Sequence, residues 1–263
     1  MNETKNNVTR SGLYLGKDVT GSLFSLEPGN VLIIGDIGHG FETLMNSILC
    51  NQLYMSNPKA ESIIVYMDEG VLSPEWLVSG SGCELFNKIY GESDLNKRPV
   101  FEEAVSSVGR IVADRVGLIK LYGDIPEDVD RKHYTVFFVI GSKTKELEYS
   151  ASFNQLLNLA YHCKQDIRIN VDIVLALQHH MPINCDGDFD YVVCTPLGDD
   201  EFSRMVIGSD LAARGPEKYG VIYYHKWGKG LPASKLTVQY RPDTFIRKLL
   251  KAFKVKSGNK SDK

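Results

Sequence analysis

Nine residues lie between a predicted strand and a predicted helix, and the first eight have the spacing of a phosphate-binding loop, G-x-x-x-x-G-K-[ST]. In such a loop the glycines allow backbone N–H groups to face phosphate oxygens, the lysine neutralises phosphate charge, and the hydroxyl residue holds Mg²⁺. Here Phe41 stands at the lysine position and Glu42 at the hydroxyl position. The glycines of the loop are therefore present, but the lysine and the hydroxyl residue are not. The nine residues are Gly35, Asp36, Ile37, Gly38, His39, Gly40, Phe41, Glu42 and Thr43.

These two replacements change the electrostatics of the loop. Opposite charges about 4 Å apart attract by about 4 kcal/mol at an effective dielectric of about 20, so losing the lysine and adding a carboxylate disfavours a polyphosphate. Thr43 could reach the metal if the helix began one residue late, and Glu42 could itself bind Mg²⁺ through oxygen. A glycine-rich turn without any ligand is the remaining interpretation. We therefore predict a degenerate nucleotide-binding loop, with ATP and Mg²⁺ as disfavoured ligands.

The composition is that of a globular α/β chain. The 263 residues are 43% hydrophobic, and the net charge of -3 gives no global attraction for nucleic acid. Five cysteines without C-x-x-C spacing argue against a disulfide framework or a zinc site and favour a reducing compartment. The first residues lack a signal-peptide pattern, and no apolar run could cross a bilayer. We expect a cytoplasmic protein that meets a membrane only through partners.

The C-terminal residues 247–263 form a basic tail. Seven basic residues stand there against one acidic residue, a net charge of +6. The stretch from Phe245 to Val255 has the pattern of a short basic amphipathic helix, which could contact DNA, an acidic partner or anionic lipid. A solubilising end is the simpler interpretation. A DNA-binding accessory module therefore remains one alternative for the function.

Strand and helix patterns alternate along the chain. The stretch 13–30 has the pattern of a short β-hairpin with a turn at Gly21. The continuous β-branched runs between helices indicate a mainly parallel sheet with helices on both faces, so a ligand would lie at the carboxyl ends of the strands. Strands are predicted at 30–34, 61–70, 133–140, 171–178, 190–197 and 220–227, and helices at 44–55, 101–123, 154–165 and within 201–219.

These patterns predict one domain with appendages. Its core is an α/β domain at 30–246, and a turn-rich stretch at 70–100 is expected to be an irregular insertion. A polar segment with the hairpin occupies 1–29, and the basic tail occupies 247–263.

Other groups of reactive side chains lack the spacing of a known site. His179 and His180 are adjacent on a predicted strand end, so their side chains point to opposite faces. The CDGDFD segment at 185–190 lacks the distal glutamate of a calcium loop. The loop glycines do not follow the dinucleotide order G-x-G-x-x-G, which leaves a nicotinamide oxidoreductase as a disfavoured alternative. No metal site and no resident cofactor are predicted.

In the order of these elements, the chain resembles the motor domain of the FtsK/SpoIIIE family of DNA translocases and the related ATPases of conjugation and type VII secretion. The resemblance runs from about Leu13 to Tyr224 and begins with a "G-K-D-x-x-G" phrase before the first buried strand. Arg115 stands at the arginine of a helix that reads "E-M-x-x-R-Y" in the family. Gln178 matches the sensor glutamine of the family's "A-T-Q-R-P" strand. Near the polar residues of the closing segment lie Asp200, Ser203 and Arg204.

The resemblance also predicts a second catalytic motif, which the chain lacks. In the family, an Asp-Glu pair follows the strand that corresponds to 133–140, and it supports Mg²⁺ and polarises the attacking water. Gly141 and Ser142 occupy those positions here, and Glu146 and Glu148 come too late to replace them. Without the lysine, the hydroxyl and the acidic pair, the chain has no evident means of stabilising phosphoryl transfer. The resemblance thus implies a RecA-like P-loop fold that carries no catalysis.

We therefore predict a pseudo-ATPase that acts as a structural or regulatory subunit of a DNA-translocation, conjugation or secretion machine. As partners, the resemblance implies active FtsK-like homologues or further copies of the chain in a ring. The main alternative is an ATP-binding translocase or secretion ATPase with unorthodox residues, in which Thr43, Glu42, Gln178 and a neighbour's residues complete the site.

Overall fold

The computed structural model describes most of the chain. The described residues are 12–18, 20–35, 39–67, 86–91, 97–141, 150–178, 187–213, 220–226, 232–238, 244–245, 247–248 and 251.

The described part of the chain is built on one ten-stranded sheet, with the strand order β2-β1-β10-β9-β8-β3-β7-β6-β4-β5. The strands are β1 (Tyr14–Lys17), β2 (Leu23–Ser25), β3 (Val31–Gly35), β4 (Glu61–Met67), β5 (Phe86–Gly91), β6 (His133–Ile140), β7 (Val171–Gln178), β8 (Tyr191–Cys194), β9 (Val221–Lys226) and β10 (Ser234–Thr237).

Six neighbouring strands, from β8 to β5 in this order, run parallel. Every residue of β3, β4 and β6 is buried, as expected for β-branched and aromatic runs covered on both faces. The other four strands are antiparallel and extend the sheet beyond β8. The hairpin of β1 and β2 joins this end, and its turn is stabilised by Asp18 Oδ1, which accepts from the Thr20 and Ser22 amides at 2.8 and 3.0 Å.

Helices cover both faces of the sheet. The helices are α1 (Phe41–Met55), α2 (Lys97–Tyr122), α3 (Ala151–Gln165) and α4 (Asp200–Ile207), with a 3-10 turn at Ile167–Ile169. α1 packs in one buried cluster with Ile33, Val65 and Val139, whereas α2, α3 and α4 pack in a second cluster with Ile34, Phe138 and Leu175. Successive strand residues alternate between the two clusters, so both faces contribute to the core.

The predicted fold class is confirmed: the sheet is mainly parallel and has helices on both faces. The interval 70–100, however, contains β5 and the first residues of α2, so the prediction of irregular structure is wrong for 86–91 and 97–100. β10 was not predicted either. Both strands lack a continuous apolar run, because β5 is an edge strand of the sheet and β10 is mostly exposed.

Candidate functional site

Three strand ends meet at the carboxyl edge of the parallel sheet. Gly35 at the end of β3 pairs with Gln178 at the end of β7. Ile140 at the end of β6 pairs with Leu177, which brings Gly141 beside the same edge. Gly141 is buried and Gln178 is half-buried. The topology thus brings together the loop, the glycine at the predicted acidic position and the sensor-like glutamine, while their roles in nucleotide binding stay a prediction.

Phe41 begins α1 and lies directly on Gly35. The phenylalanine is 3% exposed and belongs to the buried cluster on the α1 face. A Cβ placed on Gly35 would lie 2.2 Å from Cδ2 of Phe41 and 2.7 Å from its Cβ and Cγ. Only glycine leaves room for this contact, because real Cβ atoms do not approach so closely. The side chain at the lysine position is therefore packed in the core.

Gly40 is the residue that allows the chain to enter α1. It adopts a left-handed conformation (φ 91°), which favours glycine, and its carbonyl accepts from the Leu44 amide at 2.8 Å. α1 has no side-chain cap, so its first turn lacks the usual Ser, Thr, Asp or Asn partner. The helix begins at Phe41 and not one residue late, so the shift that would bring Thr43 to the metal-binding position is not present.

The remaining loop residues differ in their exposure. Glu42 is exposed on the first turn of α1, and Thr43 and His39 are half-buried. Three members of the predicted loop, Asp36, Ile37 and Gly38, lie outside the described residues. The same holds for Ser142, Glu146, Glu148, His179, His180 and Asp186.

Arg115, which matches an arginine of the family, lies at the opposite edge of the sheet. It is 4% exposed, and its guanidinium donates to four backbone carbonyls. The acceptors are Ile169 and Asn170 before β7, at 2.8 and 2.9 Å, and Asp130 and Lys132 before β6, at 3.1 and 2.7 Å. The guanidinium also lies 4.8 Å from the ring centroid of Tyr134. These contacts assign Arg115 a structural part, since it ties the starts of two strands together.

The closing segment also has structural contacts. The buried Ser203 hydroxyl donates to the Ser209 carbonyl at 2.6 Å and accepts from the Ala212 amide at 3.1 Å, which fixes the turn after α4. Asp200 and Arg204 form an exposed ion pair at 3.9 Å. Asp199 caps α4 by accepting from the Phe202 amide at 2.6 Å. These contacts account for Ser203 without a catalytic role.

Sequence analysis did not identify Asn30 as a central residue. Its side chain is buried at the start of β3, donates to the carbonyls of Ala160 and Asp188 at 2.6 and 3.0 Å, and accepts from the Ile173 amide at 2.9 Å. The one available signal was a polar residue directly before an apolar run. Asn30 links β3, β7 and α3 at the amino edge.

A second polar pair at this edge joins β6 and β7. His133 Nε2 lies 2.9 Å from Asp172 Oδ2, and both residues are almost fully buried. The two atoms are close enough for an ion pair, but their relative orientation does not fit a hydrogen bond. Cys163 lies in the same region, where burial, followed by the charge of Asp172, raises the pKa of its thiol to about 12. Burial also raises the pKa of Cys194, so both thiols stay protonated and unreactive at neutral pH.

Two findings concern metal ions and membranes. Within the described ranges, no three His, Cys, Asp or Glu side chains are grouped so that they could hold a metal ion. None of the helices in that part of the chain combines the length and the apolar character needed to cross a bilayer. In the basic tail, Arg247, Lys248 and Lys251 are helical and exposed, and their contact with DNA stays a prediction.

No protein-family model and no curated protein matches the sequence. The solved structures do contain similar chains. The cytoplasmic domain of the type VII secretion ATPase EccC from Thermomonospora curvata is 14% identical with a TM-score of 0.72, over 91% of this chain and 30% of that chain. ATPases 2 and 3 of EssC from Geobacillus thermodenitrificans are 14% identical with a TM-score of 0.66, over 95% of this chain and 49% of that chain.

A third similar structure is the pCW3 conjugation coupling protein TcpA, in its monomer form with ATPγS. It is 15% identical with a TM-score of 0.63, over 92% of this chain and 71% of that chain. The fold is that of these secretion and conjugation proteins. The predicted likeness to FtsK/SpoIIIE-type ATPases is thus confirmed in the fold. The chain spans less than half the length of the EccC and EssC chains that it matches.

Proposed function

We propose that this chain is a catalytically silent RecA-like domain that serves as a structural or regulatory part of a secretion, conjugation or DNA-translocation machine. The observation that carries the proposal is the placement of Phe41. A working loop presents a lysine ammonium to the β- and γ-phosphates. At this position the chain has a phenyl ring that is 3% exposed and lies on Gly35.

The second strand end supports the same conclusion. Gly141 follows β6 and is buried beside the end of β7, so this position offers no carboxylate for Mg²⁺. Gln178 can orient a water or a phosphate oxygen by hydrogen bonds, but it carries no charge. Phosphoryl transfer depends on charge placed around the transferred group. The described strand ends Gly35, Gly141 and Gln178 supply none.

The fold suggests the partners. Its neighbours among solved structures are secretion and conjugation proteins, and the chain corresponds to a fraction of the EccC and EssC chains. We propose that this domain packs beside active ATPase domains of the same fold or beside copies of itself. The domain limits 30–246, with the hairpin before and the basic tail after, are part of the same proposal.

A titration of the purified protein with ATP and Mg²⁺, followed by calorimetry and by phosphate release, tests the absence of catalysis. We expect no phosphate release and a dissociation constant above about 1 mM. This corresponds to a binding free energy weaker than about -4 kcal/mol. Turnover of ATP by the wild-type protein would contradict the proposal. It would favour the second candidate, an ATP-binding translocase with unorthodox residues, for which the ATPγS in the TcpA structure is the supporting observation.

A pair of double variants calibrates this assay. Phe41→Lys with Glu42→Ser restores the two side chains of the motif, and we expect it to bind ATP more tightly than the wild type if the backbone still forms an anion nest. Phe41→Met with Glu42→Ser removes the ring and the carboxylate but adds no cation. If only the lysine variant binds ATP more tightly than the wild type, the weak binding of the wild type is due to the missing positive charge.

A further inference from the structure

The contact between Phe41 and Gly35 closes the point where β3 leaves the sheet and α1 begins. The three atoms nearest to a Cβ at position 35 all belong to the Phe41 side chain, at 2.2 to 2.7 Å. Gly35 does not have a positive φ, so its backbone conformation is open to any residue. Glycine is therefore required at position 35 by the ring above it and not by a turn.

The Phe41 ring is also packed in the hydrophobic core. Phe41 lies in the buried cluster that contains Ile33, Leu44 and Met45, and it is 3% exposed. Burying a phenylalanine side chain stabilises a fold because it removes a large apolar surface from water. The first residue of α1 is therefore held by the core, although the helix has no side-chain cap.

In a phosphate-binding loop the bound anion satisfies the first amides of the helix and fixes the turn before it. We infer that the Phe41 ring, seated on Gly35, takes over this positioning role, so that the start of α1 is fixed without a ligand. Phe41 is thus a positioning residue that makes the fold independent of nucleotide. The inference rests on the proposed function, because an empty site needs another means of order.

A double-mutant cycle on Gly35→Ala and Phe41→Gly tests the contact. Phe41→Gly removes the three atoms nearest to an alanine Cβ at position 35. Phe41→Gly alone should lower the folding equilibrium constant by about two to four orders of magnitude, the range for losing a buried phenylalanine. Gly35→Ala should cost at least tenfold in the wild type and little in the Phe41→Gly background. Gly117→Ala, where an added Cβ meets nothing within 4 Å, is the matched control.

Hydrogen exchange of the first turn of α1 supplies a readout that a general loss of stability does not move. The Leu44 amide donates to the Gly40 carbonyl. We expect slow exchange at Leu44 and Met45 in the ligand-free wild type, unchanged by ATP with Mg²⁺ or by pyrophosphate, and faster exchange there in Phe41→Leu than in the rest of α1. If Phe41→Gly does not fold, Phe41→Ala, which removes Cγ and Cδ2 and keeps only Cβ, replaces it in the cycle with a smaller expected coupling.

The outcomes separate this inference from the proposed function. Additive losses in the cycle, or a first turn that becomes protected only with ATP or pyrophosphate, would overturn the positioning role of Phe41. Coupled losses with unchanged exchange would support it. ATP turnover by the wild type would instead overturn the proposed function, whatever the cycle gives.

Discussion

The two edges of the parallel sheet differ in the side chains that they bury. At the amino edge Asn30, Arg115 and the His133–Asp172 pair form buried polar contacts between strands and helices. At the carboxyl ends of β3, β6 and β7 the chain has Gly35, Gly141 and Gln178, and Phe41 covers the first of them. In an enzyme with this topology, polar groups are expected at the carboxyl edge, where ligands bind. For β3, β6 and β7, buried polar side chains instead hold the amino edge together.

The largest effect expected from breaking this contrast is at Arg115. Arg115→Met keeps much of the side-chain volume but leaves four carbonyls without their donor. Hydrogen bonds from charged groups are strong, so we expect a loss of about 3 to 5 kcal/mol in the free energy of unfolding. Urea unfolding followed by circular dichroism measures it. Arg110, exposed on the same helix, gives the matched control Arg110→Met, for which the loss should stay below about 0.5 kcal/mol. Equal losses in the two variants would show that Arg115 does not tie the strands.

Asn30→Ala is the next largest change. It removes two donors and one acceptor inside the core, so that the Ala160 and Asp188 carbonyls and the Ile173 amide each lose the hydrogen bond made by Asn30. We expect a loss of about 3 kcal/mol, since each unsatisfied buried group costs about 1 to 3 kcal/mol and the effects overlap. Asn154→Ala on the exposed face of α3 is the control. A loss near that of the control in the same urea assay would mean that water satisfies the three groups.

The sequence predicted the buried part of the fold well, for a physical reason. β6 and β7 coincide with the predicted intervals 133–140 and 171–178, because strands buried on both faces are continuous apolar runs. For the candidate site, the sequence predicted only the spacing of the phosphate-binding loop, which located Gly35 and Gly40. The contact of the Phe41 ring with Gly35 could not be predicted from the sequence, because it depends on how α1 packs on the sheet. The carbonyl partners of Arg115 lie 15 to 55 residues away, and no local pattern marks them.

The contact of Tyr134 with Asp130 at the amino edge is expected to make the stability of the protein depend on pH. Its hydroxyl donates to Asp130 Oδ2 at 2.6 Å, and burial, followed by this hydrogen bond, raises its pKa from 10.0 to about 12. The unfolded chain therefore loses the tyrosine proton first, and the stabilisation present below pH 10 is lost as the pH rises toward 12. Tyr134 is buried, but the Asp130 carboxylate is exposed and screened by solvent, so we expect a contribution of about 1 kcal/mol. Melting temperatures at pH 8 and pH 11 for wild type and Tyr134→Phe measure it. A difference between the two proteins that does not shrink with pH would contradict this assignment.

The smallest effect is expected at Gln178, at the carboxyl edge. Gln178 ends β7 beside Gly35 and is half-buried, in contrast to the fully buried Asn30 at the start of the neighbouring strand. We expect Gln178→Ala to change the free energy of unfolding by less than about 0.5 kcal/mol, as for substitutions outside a buried network. The same urea assay that detects Asn30→Ala measures it. If Gln178→Ala proved as costly as Asn30→Ala, the carboxyl edge would also contain a buried polar network, and the contrast between the edges would fail. A small loss would instead mean that the glutamine next to Gly35 contributes little to the fold, so that any contribution it makes is to binding.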